Sequence, residues 1–200
     1  MNSVKISVLG LEEEKCKLFI KESCSMPVPA GSGFRQIDDT EIQLTCRSHT
    51  DMEAALKDAD CAVVLVHHLD LISVESLRKI HEHLASKADI PCFWALLRLK
   101  DENQFKISCI ECGQKMWIPD DRKGAKARCP KCKKSFSVFS REEYLQLVLG
   151  IDDPSRTIAV DESKPETFER IINQLVNKQP TTESSKGSKT KIRIRKKTED

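Results

Sequence analysis

The sequence predicts a doubly wound α/β domain with a mostly parallel sheet, and three observations predict it. From Val4 to Leu97 the apolar residues alternate between strand-like and helix-like spacing. Within that stretch Cys61-Ala-Val-Val-Leu-Val66 is continuously apolar, as expected of a strand buried on both faces of a parallel sheet. The alternation stops at a cysteine-rich segment and resumes over residues 141–176. A lone helix–strand–helix cannot bury its own apolar faces, so this part is expected to return to the earlier sheet, with the cysteine-rich segment inserted.

Each element follows from its residues. Val4, Ile6 and Val8 alternate before Leu9-Gly10, a strand running into a turn. Residues 12–23 read as a helix with Cys16, Phe19 and Ile20 on one face, and Glu12-Glu-Glu14 suits its dipole. Residues 25–33 hold two prolines and two glycines and are expected to form a loop. Ile42 and Leu44 begin the next strand, residues 52–57 are helical, and Asp60 leads into the buried strand 61–66. Val74, Leu77, Ile80 and Leu84 mark an amphipathic helix over 73–86, and residues 91–97 form a second buried strand. After the insertion come a helix over 141–149, a short strand over 157–160 and a helix over 165–176 that opens on proline.

The insertion carries Cys109-x2-Cys112 and Cys129-x2-Cys132, with sixteen residues between the pairs. Each pair can close a tight turn around one metal ion, and two facing turns complete a tetrahedron of thiolates with no open position. Such a site builds structure and does not catalyse. Its alternatives are a metal-free thiol cluster and a redox pair; the latter needs one CxxC opening a helix. Gly113 supplies the residue tolerant of positive φ that the first knuckle needs, while Lys133 occupies the equivalent place in the second. Met116, Trp117 and Ile118 form a short apolar run ending at Pro119, residues 120–124 read as a polar connection, and residues 135–139 alternate like a strand. The run Cys109-Ile-Glu-Cys112-Gly113 and Gly124-Ala-Lys-Ala-Arg128-Cys129-Pro130-Lys-Cys132 resembles a family of small prokaryotic zinc ribbons of pattern CxxCG…GxxxRCPxC. The resemblance implies one structural Zn²⁺ on Cys109, Cys112, Cys129 and Cys132. So small a segment buries too little core to fold alone, and zinc supplies the missing stability, so a chelator is expected to unfold it.

The runs Val4-Lys-Ile-Ser-Val-Leu-Gly10, Asp58-Ala-Asp-Cys-Ala-Val-Val-Leu-Val66 and Ile90-Pro-Cys-Phe-Trp-Ala95, with the last helix, strand and helix after the insertion, carry a second resemblance. In them the body looks like a Ras-like small GTPase. The resemblance implies a P-loop fold, but the motif residues differ. Counting GxxxxGK[ST] from Gly10 puts Lys15, Cys16 and Lys17 where glycine, lysine and a hydroxyl would cradle phosphate and magnesium. The metal-side Asp-x-x-Gly aligns with Cys46-Arg-Ser-His49, and the guanine-reading Asn-Lys-x-Asp falls near Leu97-Arg-Leu-Lys100. Nucleotide hydrolysis needs positioned phosphates, magnesium and an oriented water. The expectation is therefore a pseudo-GTPase scaffold that binds no nucleotide tightly and is not an enzyme.

Length and charge divide the chain as 1–104 and 140–178 for the α/β domain, 105–139 for the ribbon and 179–200 for a disordered basic tail. Residues 105–139 hold nine Lys/Arg against three acids and residues 181–200 hold seven against three, so the remainder is acidic although the whole chain is +2. This segregation is either a solvated surface or a means of docking to an anionic partner. The tail segment Lys191-Ile-Arg193-Ile-Arg195-Lys196-Lys197 could add to a partner's sheet edge, lie along phosphates, or only solubilise. The expected function is a zinc-binding adaptor that meets a protein partner through the hairpin face (Met116, Trp117, Ile118) or the tail, with nucleic acid as the alternative partner. His67-His68 and Asp70 follow a buried strand and are read as a polar strand-to-loop transition rather than a ligand set, and no catalytic constellation emerges. No apolar stretch is long enough to span a membrane, nothing resembles a signal peptide, and the cysteines suit a reducing cytoplasm, with Cys16, Cys24, Cys46, Cys61 and Cys92 mostly buried thiols.

Overall fold

The structure is a computed structural model that describes residues 2–24, 31–87, 90–100 and 102–177. Lys191, Arg193, Arg195, Lys196 and Lys197, the expected disorder of 179–200 and most of the expected 25–33 loop lie outside the described residues.

Strands β1 (Asn2–Gly10), β2 (Ser32–Ile37), β3 (Thr40–Cys46), β4 (Cys61–Val66), β5 (Cys92–Arg98) and β10 (Thr157–Asp161) form one sheet in the order β10-β5-β4-β1-β3-β2. All pairings are parallel except β2 with β3. Numbered in chain order, the five parallel strands lie as 2-1-3-4-5, one of the common doubly wound orders; the antiparallel strand β2 added at the β3 edge sets the sheet apart and agrees with the expected Ras-like α/β fold. The chain rejoins the sheet after the insertion, because β10 lies beside β5.

Burial on both faces explains the continuous apolar runs. In β4, Val63 and Leu65 face a core built with α1 (Glu13–Ser23) and α5 (Glu166–Asn177), through Phe19, Ile20, Phe168 and Ile171. Ala62, Val64 and Val66 face the opposite core, with α2 (Met52–Leu56), α3 (Leu71–Ser86) and α4 (Arg141–Leu149). Local signals set the ends of these helices. Asp70 caps α3 by accepting from the amides of Ile72 and Ser73, and Ser140 with Glu143 forms a capping box on α4.

Strand β2 was not expected, since its first residues were read as part of a loop. Its edge position leaves most side chains at least partly exposed, so Gly33-Phe34-Arg35-Gln36 carries no apolar alternation. Pairing to β3 (Phe34 opposite Gln43, Arg35 opposite Ile42) and the contacts of Arg35 with the Ser23 carbonyl at 3.0 Å and Glu169 at 2.8 Å hold it.

The insertion folds as two hairpins: β6 (Gln104–Ser108) with β7 (Lys115–Pro119), and β8 (Lys126–Arg128) with β9 (Ser135–Ser137). The first is built into the body and is no detached knob. Phe105, Ile107 and Ile118 join the core that contains Trp94, Leu96 and Leu145. The Leu71 amide donates to the Ser108 hydroxyl at 3.0 Å, and the Tyr144 hydroxyl donates to the Ser108 carbonyl at 3.2 Å. Buried Arg141 donates to both carboxylate oxygens of Asp120 (2.8 and 3.1 Å) and to the Gln104 carbonyl (2.9 Å).

Candidate metal centre

Two knuckles with the same backbone face each other. In the first, the Gly113 amide donates to the Cys109 carbonyl (2.8 Å) and the Cys109 amide to the Gln114 carbonyl (2.8 Å). In the second, the Lys133 amide donates to Cys129 (3.0 Å) and the Cys129 amide to Lys134 (2.9 Å). Gly113 has φ 70° and Lys133 φ 63°, so the lysine takes the left-handed conformation that glycine takes in its twin. The left-handed turn costs a side-chain-bearing residue about 1–2 kcal/mol and touches no sulfur.

All four sulfurs lie within 4.8 Å of one another, close enough to hold a metal ion. Cys109 Sγ is 3.7 Å from Cys132 Sγ, and Cys112 Sγ is 3.6 Å from Cys129 Sγ. Four sulfurs about 2.3 Å from one ion stand about 3.8 Å apart along a tetrahedron edge, whereas a disulfide would bring a pair to about 2.05 Å. The cysteines are all free thiols. The donor set therefore fits a tetrahedral thiophilic ion. Against the effect of burial, the Cys132 and Lys131 amides bring the Cys129 thiol down to about 6. The Lys134 amide favours the Cys132 thiolate, but burial and the neighbouring thiols outweigh it and raise that thiol to about 11. Four adjacent sulfurs cannot all carry charge without a cation among them.

The surface around the cluster differs from expectation in one respect. Trp117 is exposed, with the Lys106 ammonium 5.6 Å from its ring centre, but Ile118 is buried and Met116 half-buried. Successive strand residues point to opposite faces, so Trp117 alone of the three is exposed. Met116, Trp117 and Ile118 all border a groove between the hairpins that Lys115, Arg122, Lys126 and Arg128 also line. Sequence reasoning missed a second feature: exposed Leu71, Ile110 and Leu147 share a shallow depression beside Cys109. The other cysteines are mostly as expected, with Cys16, Cys61 and Cys92 buried and Cys24 and Cys46 half-buried. Burial raises Cys61 and Cys92 to about 12.

At the carboxyl edge of the main sheet, β1 passes from Gly10 to α1 at Glu13 through two residues, with Glu12 as the helix cap. The aligned phosphate-loop positions are used otherwise: Cys16 is buried against Gly10, and Lys17 pairs with Glu13 (2.9 Å) and Glu14 (3.1 Å). The same edge holds a group of titratable side chains. His67 Nδ1 is 3.2 Å from Glu12, His67 Nε2 is 2.9 Å from Glu102, and the rings of His67 and His68 lie 4.0 Å apart. Burial and the neighbouring His67 lower the pKa of His68. Asp70 caps α3 instead of joining them. Glu12 and Glu102 come from separate loops, and no sequence signal links them to the histidines.

No protein-family model matches the chain. The search of curated proteins finds no relative. Among solved structures, the chain resembles a probable GTP-binding protein, EngB, at 10% identity and a TM-score of 0.44, over 87% of this chain and 97% of that one. It also resembles the FeoB G-domain from Methanococcus jannaschii at 12% identity and a TM-score of 0.48, over 88% of this chain and 97% of that one. At such values the likeness concerns the fold and assigns no activity to this chain. It does correct one expectation. That the chain is not an enzyme rested on missing motif residues and on finding no catalytic constellation in the sequence, and it is withdrawn against neighbours that are a probable GTP-binding protein and a G-domain. The physical reason is that motif counting says nothing of other reactive groups, such as the histidines and carboxylates gathered at this sheet edge. Among the described residues no helix is long and apolar enough to cross a membrane.

Proposed function

We propose that the chain is a cytoplasmic zinc-binding interaction protein built on a G-domain-like scaffold. Cys109, Cys112, Cys129 and Cys132 hold one structural Zn²⁺ in a ribbon spanning residues 105–139, between the two parts of the α/β domain, 1–104 and 140–178. A protein partner is met by Trp117 and by the basic tail, through Lys191, Arg193, Arg195, Lys196 and Lys197. The observation that carries the reading is four sulfurs within 4.8 Å of one another, with two separations of 3.7 and 3.6 Å that match the edge of a zinc–thiolate tetrahedron. Exposed Trp117 supports the partner role, since aromatic side chains dominate binding hot spots. Nucleotide is not among the proposed ligands. The Gly10–Glu13 turn is short, and Glu12, Glu13 and Glu14 set carboxylates where a phosphate loop sets amides.

Two measurements test this. Co²⁺ substituted into the ribbon is expected to give thiolate charge-transfer absorption that disappears in Cys129→Ser; its absence from the unaltered protein overturns the metal assignment. Pull-downs are expected to lose the partner with Trp117→Ala or deletion of 179–200, and unchanged recovery in both refutes the interaction surface. One observation favours nucleic acid as an alternative partner: Lys106 lies over Trp117 beside a groove lined by basic side chains. A steep log–log salt slope in filter binding decides for it.

A further inference from the structure

The group at the carboxyl edge of the sheet has the composition of a second metal site. One ligand atom each from Glu12, His67 and His68 lies within 4.8 Å of the other two. His67 Nδ1 to Glu12 Oε1 is 3.2 Å and His68 Nε2 to Glu12 Oε1 is 3.8 Å. Ligands about 2.0–2.1 Å from a tetrahedral ion stand about 3.3 Å apart, so the first edge already fits, the second closes by about half an ångström, and the third, between the two imidazoles, starts from within 4.8 Å. The far side of His67 carries the second argument. Its Nε2 faces Glu102 at 2.9 Å, and Glu102 is in turn held by the Leu99 amide (3.2 Å) and by Arg141 (3.6 Å). A metal-bound imidazole almost always donates its other N–H to such an anchored carboxylate, which fixes the ring and raises its basicity.

We infer that Glu12, His67 and His68 bind one divalent transition-metal ion of the zinc type, with Glu102 as the positioning residue behind His67. Two imidazoles and a carboxylate suit zinc and cobalt better than magnesium or calcium, which take oxygen ligands. Three protein ligands leave a fourth position open. The three ligand residues line one cavity of about 240 Å³ together with Leu11, Lys15, Ser73 and Leu97, which leaves room for a further ligand. The location agrees with the rule that open α/β sheets bind ligands outside the carboxyl ends of their strands.

The competing arrangement is an imidazolium of His67 bridging Glu12 and Glu102 with no metal. Co²⁺ distinguishes them. The full chain, its thiolate cluster first filled with Zn²⁺, is titrated with Co²⁺ at neutral pH by equilibrium dialysis and visible absorption. One further equivalent is expected, with weak d–d bands and no thiolate charge transfer. His68→Ala and Glu12→Gln are expected to lose that equivalent while retaining the thiolate-bound zinc. Glu102→Gln is expected to weaken it about 10- to 100-fold. No further equivalent in the unaltered protein, or one that survives both His68→Ala and Glu12→Gln, overturns the inference. Should a variant fail to fold, the unaltered protein still decides: Co²⁺ is expected to shift the ring protons of His67 and His68 far more than those of His49, His81 and His83, and equal shifts refute the site. The thiolate charge-transfer bands report on the ribbon separately, so failure here leaves the proposed zinc site untouched.

Discussion

Removing the proposed zinc is expected to melt one hairpin of the ribbon and leave the other standing. The β6–β7 hairpin buries Phe105, Ile107 and Ile118 in the core of the body, and Arg141 and Tyr144 tie it down. At about 1.5–3 kcal/mol for each fully buried side chain, those three contribute on the order of 5–9 kcal/mol as an upper bound. Apart from the ligand Cys129, Val138 is the only buried apolar residue of the β8–β9 hairpin and its flanks; Ala127 and Phe136 are half-covered. Its strands are three residues long, and a hairpin of that size is marginal without outside support. The metal supplies that support, at roughly 10–16 kcal/mol in small zinc modules. The expectation that a chelator unfolds the whole segment is thus narrowed to residues 124–139 and the first knuckle. Hydrogen exchange measures this directly. After chelation the amides of Gly124, Cys129, Lys133 and Val138, all bonded within the outer hairpin and its knuckle, should exchange at least about a thousandfold faster, which corresponds to about 4 kcal/mol. The amides of β6 and β7 should keep most of their protection. Equal loss across both hairpins, or no loss in the outer one, would refute the reasoning.

Three other outcomes are expected. Arg141→Ala strips Asp120 and the Gln104 carbonyl of their donor at a buried site, and should destabilise the fold by about 3 kcal/mol in urea melts; a loss below about 1 kcal/mol would show the pair to be incidental. Gly10→Ala sets a methyl group 2.7 Å from Cys16 Sγ and should cost about 1–3 kcal/mol, most of it recovered when Cys16→Ala is added; strictly additive effects would place the strain elsewhere. Stability should fall in acid. Burial opposes ionisation of Asp161, yet the Ser163 hydroxyl and amide and the Arg98 guanidinium hold its carboxyl below the usual range, and Lys123 and the Ser140 amide do the same for Glu143. A carboxyl depressed in the folded state stabilises it above the unfolded value of about 4, and that contribution is lost as pH falls through the lower folded value. Asp161→Asn should flatten the urea midpoint against pH below about 4, and an unchanged slope counts against this assignment.

The fold was legible where burial is two-sided. Residues 61–66 and 92–98 announce themselves because no position in them faces water for long. The return of 141–176 to the sheet was legible for a similar reason, since those apolar faces have no other cover. Strand β2 was not, because this edge strand is specified by pairing with its neighbour and by the long-range contacts of Arg35, not by an apolar alternation of its own. The burial of Ile118 was not legible in the run Met116-Trp117-Ile118, because it depends on the body that this residue packs against.

The sequence by itself determined the four thiols and their two knuckles, because ligand pairs three residues apart fix their geometry within a single turn, whatever surrounds them. Even Lys133, which lacks the glycine of its twin, follows that local geometry. Only the tertiary structure decided that one hairpin fuses with the body, and that His67 sits between Glu12, fifty-five residues before it, and Glu102, thirty-five after. Those contacts arise where three separate loops meet at one sheet edge, and the order of strands that brings the loops together is a property of the whole chain.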